Sequence, residues 1–112
     1  MVSMNTDFKA LQKKALFIKN FYIQKQKEKG IDAWTASDYM AGFVSDIGEL
    51  SELVSAKKGV RTVEDVDQKL EHELNDCQYS VIILADEFNI DLASSFDKNM
   101  DILAKRIENK ER

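Results

Sequence analysis

Four acidic residues of this sequence fall into two pairs with one spacing, Asp46 with Glu49 and Glu73 with Asp76. On a helix, residues three apart share a face, so each pair would present two carboxylates side by side. Carboxylates crowded together repel one another, and the arrangement is costly unless a proton or a cation joins them. Oxygen-only ligation without Cys or His suits a hard ion, Mg²⁺ or Mn²⁺. Such an ion bridges carboxylates to phosphates and can activate water. The plainer alternative is that these acids are solvated helix faces.

Whether the pairs meet depends on the elements that carry them. The apolar spacing predicts four helices. The first spans Asp7 to Lys29, with a stripe of Phe8, Leu11, Ala15, Ile18 and Tyr22, widened by Phe17 and Phe21. Gly30 stops it, and Ile31 to Thr35 is a loop holding Trp34. The second starts at Ser37 as N-cap and runs to Lys58, with a core stripe of Met40, Phe43, Ile47, Leu50 and Val54, then Gly59 at the exit. The third starts at Thr62 as N-cap, with Glu64 and Asp65 in its first turn. Its stripe is Val66, Leu70, Leu74, Cys77, Val81, Leu84 and Phe88. Val81 to Ala85 is apolar nearly all round and is expected to lie deep, and Asn89 marks the exit. The fourth opens at Asp91 and runs to Asn109 on Leu92, Phe96, Met100, Leu103 and Ile107. The expected fold is all-α, an antiparallel four-helix bundle-like protomer in one domain over 1–112, closed alone or by a partner.

Each acid sits one residue before a core position: Asp46 before Ile47, Glu49 before Leu50, Glu73 before Leu74, Asp76 before Cys77. One residue is about 100° of rotation, so each pair flanks its stripe on the same rotational side. The short connection from Gly59 to Thr62 makes the two helices antiparallel neighbours. Equal offsets on an antiparallel pair point to one side of the contact, so both pairs should overlook one groove. They also lie equally far from the turn, at roughly 20 Å for 1.5 Å per residue.

Composition narrows the partners. The 112 residues suit one domain, and one this short buries a limited fraction of its surface, so a second copy is expected to help complete the core. Net charge is −4 and the basic residues are scattered, which argues against nucleic acid. An acidic chain that handles phosphates needs a metal or local Lys and Arg. Hydrophobic content of 44% with no long apolar run argues against a membrane span. No secretory signal is visible, so the cytoplasm is the expected location. The lone Cys77 excludes an internal disulfide, and its place on the core stripe marks a buried, inert thiol. The absence of proline fits an all-helical chain. His72, the sole histidine, points about 100° away from Glu73 and reads as a surface residue. Trp34 either stacks on a base or anchors its loop. Lys57, Lys58 and Arg61 read as a solvated helix end, with phosphate contact as the alternative.

The segments DIGELSE (46–52) and ELNDCQYSVIIL (73–84) resemble the MazG-like nucleoside triphosphate pyrophosphohydrolases. That family's pattern is E-x-x-E, a variable gap, then E-x-x-D, often in forms resembling EVGELAE and ELSDVLIYL. The stretch Ala85 to Leu92 also resembles the family's entry to its last helix, so the resemblance covers about residues 34 to 106. It implies an all-α NTP pyrophosphatase fold and a homodimer or homotetramer. It also implies Mg²⁺-dependent cleavage of a (deoxy)nucleoside triphosphate to the monophosphate and pyrophosphate, in the service of nucleotide-pool clearance. By the same resemblance, Asp46, Glu49, Glu73 and Asp76 would be metal ligands. Glu49 or Glu52 would orient or deprotonate the attacking water, and Lys98 and Arg106 would contact substrate. The sequence departs from the pattern with Asp46 at the first ligand position and Leu103 where the family often has Asn. These departures keep two alternatives in view, a non-catalytic nucleotide- or metal-binding module and a purely structural helical oligomer.

Overall fold

The computed structural model describes residues 7–59 and 61–110. They form four helices: α1 (Phe8–Glu28), α2 (Ala36–Lys57), α3 (Val66–Glu87) and α4 (Leu92–Lys110). No strand occurs among the described residues.

Local chemistry explains most of the boundaries. The Asp7 carboxylate accepts from the Ala10 N–H at 2.8 Å and caps α1. At the other end Gly30 turns left-handed (φ 71°), and the N–H groups of Gly30 and Ile31 bond back to the carbonyls of Lys27 and Gln26. α3 ends in the same double bond pattern, with Asn89 in the left-handed position (φ 58°). Asp91 accepts from the Ser94 N–H and hydroxyl and opens α4, and these bonds lower its pKa.

Two predicted starts are corrected. The N-cap of α2 is Thr35, not Ser37, because Thr35 and Asp38 cap each other reciprocally. The Asp38 carboxylate accepts from the Thr35 N–H at 2.8 Å, and the Thr35 hydroxyl accepts from the Asp38 N–H at 3.3 Å. α3 begins at Val66, four residues after Thr62. Its N-cap, Asp65, sits left-handed (φ 55°) without a side-chain cap bond. Glu64 and Asp65 therefore precede the helix, and Asp67 is the acid of its first turn, paired with Lys57 across the reversal.

α2 and α3 form the most extensive contact, α1 lies along α3, and the start of α4 meets α1. There the Phe8 and Phe96 rings pack edge to face at 6.4 Å, and Ala93 N–H donates to Gln12 Oε1 at 3.2 Å. The radius of gyration is 17.6 Å, against about 13 Å for a compact chain of this length.

The predicted stripes are packed only in part: Phe43 and Leu50 of α2 and Leu70, Cys77 and Leu84 of α3 are half-buried, while other members are exposed. On α2 the buried residue is Leu53, while Met40, Ile47 and Val54 are exposed. On α3 Ile82, Ile83 and Ala85 are buried as expected of that segment, but Val81, Leu74 and Phe88 are exposed. On α1 Ala15 and Lys19 are buried, while Leu11, Phe17, Ile18, Phe21 and Tyr22 are exposed. The α4 residues Phe96, Met100, Leu103 and Ile107 are also exposed. α1, α2 and α3 are therefore turned so that polar side chains enter their contacts, as Lys19, Asp46 and Glu73 do. Lys19 is the clearest case. Only 5% exposed, its Nζ lies 2.8 Å from Asp86 and from Glu87, and 5.6 Å from the Tyr39 ring centre. Burial opposes its charge, but the two carboxylates outweigh that and raise its pKa.

Candidate metal centre

The rotation of α2 and α3 carries Glu73 into the seam, with Asp46 and Asp76 half-buried and Glu49 exposed at its edge. Lys57 pairs with Asp67 next to the reversal, and Asp46 and Glu49 meet Glu73 further out, which is antiparallel register. Asp46, Glu49 and Glu73 each place an oxygen within 4.8 Å of the others. Glu73 is the unusual member. It is only 7% exposed, and its Oε1 is buried with no hydrogen-bond partner. Burial, then the Glu49 carboxylate, then Asp46 and Asp76 push its pKa up to about 7. A carboxyl so placed either keeps a proton, which Glu49 can share, or faces a cation. The orphaned oxygen and the all-carboxylate donor set fit a hard divalent ion.

Asp76 stands one turn along α3 from Glu73 and outside the close triad. It is half-buried, and its carboxylate lies 3.1 Å from His72 Nε2. His72 itself is exposed, as its rotation predicts, and its partner one turn away is the part that spacing left unread. Cys77, half-buried, has its thiol pKa raised by burial, then by Asp46, Glu73 and Asp76, so it stays neutral rather than serving as a thiolate.

Two cavities flank the carboxylates. One, of about 610 Å³, is lined by Asp46 and Asp76 together with Trp34, Tyr39, Tyr22 and Tyr79, and by Lys25, Gln26 and Lys29 of α1. Trp34 and Tyr39 meet edge to face at 5.5 Å. Tyr22, Lys25, Gln26 and Lys29 recur at three- and four-residue steps, so their common face on α1 was visible in the sequence. Which neighbour that face served was not. The other cavity, of about 390 Å³, is lined by Glu49, Glu52 and Glu73 with Lys69 and His72. Glu52 lies on its rim, exposed, 3.5 Å from Arg61. Lys98 and Arg106 sit exposed on α4 and line neither of these two cavities.

Comparison with family models, with curated proteins and with solved structures finds no match to this chain.

Proposed function

We propose that the chain is a Mg²⁺-dependent pyrophosphohydrolase that splits a (deoxy)nucleoside triphosphate into monophosphate and pyrophosphate, and that it works as a homo-oligomer clearing nucleotides. The observation that carries the metal is the buried, unpartnered oxygen of Glu73 within 4.8 Å of Asp46 and Glu49. The reaction itself rests on the resemblance of the two acidic segments to pyrophosphohydrolases. Support comes from the large cavity, whose aromatic rings suit a base and whose Lys25 and Lys29 suit phosphates.

Asp46, Glu49 and Glu73 would hold the ion, with Asp76 able to join from the same groove. Mg²⁺ bound there would neutralise phosphate charge and lower the pKa of a coordinated water. Glu49 and Glu52 line the smaller cavity, from which a carboxylate can orient water or accept its proton. Trp34 offers a stacking face beside Asp46. Mn²⁺ suits the same oxygen donors.

The direct test supplies a panel of canonical and modified (d)NTPs with Mg²⁺ and measures pyrophosphate. Release should occur with at least one nucleotide and should disappear in Glu49→Gln and Glu73→Gln. A folded preparation that releases none overturns the hydrolase reading. If nucleotides then raise the melting temperature without turnover, the chain is a binding module. The placement of Lys98 and Arg106 away from both cavities gives no support to a nucleotide contact from α4 within the protomer.

A further inference from the structure

Among the described residues, Lys19 and Glu73 are the two charged side chains that are buried, and the metal centre uses only Glu73. Lys19 lies where three helices meet. It belongs to α1, its Nζ is 2.8 Å from Asp86 and from Glu87 at the end of α3, and the same atom stands 5.6 Å from the ring centre of Tyr39 on α2. Two carboxylates and a ring face together offset the cost of burying an ammonium. Tyr39 carries the contact onward. Its ring meets Trp34 edge to face at 5.5 Å, and the indole lies over Gly42, where an added Cβ would stand 3.9 Å from it. Trp34 and Tyr39 line the cavity of about 610 Å³, whereas Lys19 does not. The other aromatic walls converge on the same point. Tyr22, three residues after Lys19, shares its face of α1. The Tyr79 hydroxyl has its pKa raised by burial, then by Tyr39 and Tyr22, with Lys19 opposing, so these groups face one another.

We infer that Lys19 is a positioning residue for this cavity: held by Asp86 and Glu87, it sets the ring of Tyr39, and through that ring the stacking face of Trp34, before any ligand enters. The physical reason is conformational freedom. Trp34 sits in the stretch 31–35, outside any helix, and is 49% exposed. A ring on such a stretch loses backbone and rotamer freedom when it stacks on a ligand, unless the protein has already restricted it. Tyr39 supplies the restriction from the first turn of α2. Its own ring rests against an ammonium that cannot move without leaving two carboxylates. The inference rests on the proposed function only for what fills the cavity. The restraint on Trp34 is a property of the protomer and can be read without turnover.

Trp34 is the sole tryptophan, so its fluorescence reports the cavity wall directly. Well below the melting temperature, Lys19→Met, which keeps the packed stem and removes the charge, should increase acrylamide quenching of Trp34. Lys19→Arg, whose guanidinium also suits two carboxylates and a ring face, should restore the wild-type value. Tyr39→Leu should raise quenching by itself, and adding Lys19→Met to it should change nothing more, because the two act in series. Lys57→Met, which removes the ion pair to Asp67 beside the reversal, should leave Trp34 as in wild type. With a nucleotide that is split, Lys19→Met should raise KM about fivefold, the worth of one well-placed aromatic contact, and leave kcat within about twofold. If Lys19→Met does not fold, Asp86→Asn combined with Glu87→Gln frees the ammonium with little change of shape and carries the same expectations. Unchanged quenching in the folded variant overturns the inference. So does equal quenching in Lys57→Met, since any loosening would then suffice, and so does a fall in kcat at constant KM. Failure of every nucleotide to be split overturns the proposed function instead, and the quenching series still decides the role of Lys19.

Discussion

Glu73 concentrates the chemistry of the molecule in one side chain. In chelator-treated protein its folded pKa of about 7 lies well above the unfolded value near 4.5. A raised carboxyl pKa contributes stability that is fully present below the unfolded value and is lost as pH rises through the folded value. The chelated protein should therefore melt at a higher temperature at pH 5 than at pH 8, and Glu73→Gln should flatten that difference. Added Mg²⁺ should reverse the order, because binding needs the carboxylate and releases its proton. Calorimetry at pH 6.5 in two buffers of different ionisation enthalpy should detect the release. A pH-independent melting temperature without metal would count against the buried carboxyl as the controlling group.

The elements hold this residue in place by different means. Thr35 and Asp38 set where α2 begins, and through it the register that brings Asp46 and Glu49 to Glu73. Thr35→Ala should cost about 1 kcal/mol in chemical denaturation, the usual loss for an N-cap hydroxyl. Lys19 fastens α1 to the end of α3 and sits beside Tyr39. Lys19→Ala should cost more, about 2–4 kcal/mol, since it leaves two carboxylates without their cation in a part-buried contact. Lys19→Met keeps the packed stem and should cost less than the alanine variant. Equal losses for the two would assign the effect to charge alone.

At the scale of the whole molecule, α4 is the least integrated helix, joined to α1 near Phe96 and Ala93 with its apolar stripe left exposed. Lys98 and Arg106 ride on it, apart from the carboxylates. Lys98→Ala and Arg106→Ala should therefore leave Mg²⁺ affinity within about twofold of wild type, the expectation for distant sites that act independently. Any defect should appear in nucleotide affinity or KM. A large fall in metal affinity on either substitution would mean that α4 reaches the metal centre in the assembled protein. No helix among the described residues is long and apolar enough to cross a membrane, so the exposed apolar strips are not spans.

The sequence by itself determined the four helices and most of their ends, because caps and left-handed exits are local chemistry carried by single residues such as Asp7, Gly30, Asn89 and Asp91. It also determined that the two acidic pairs stand level on neighbouring antiparallel helices, because spacing and a short connection suffice for that. It missed the Thr35 cap, since an Asp three residues on completes the box as well as a Glu would, and it placed the start of α3 too early. Tertiary structure alone decided which face of each helix turns inward. Periodicity locates an apolar stripe but does not say what covers it. Ile47, Val54, Leu74 and Val81 form such a stripe, and within the protomer it is left open while Glu73 enters the seam with Asp46 half-buried beside it. Burial of Glu73 follows from that rotation, and so does its raised pKa. Both depend on the summed packing of α1, α2 and α3, which no local pattern encodes.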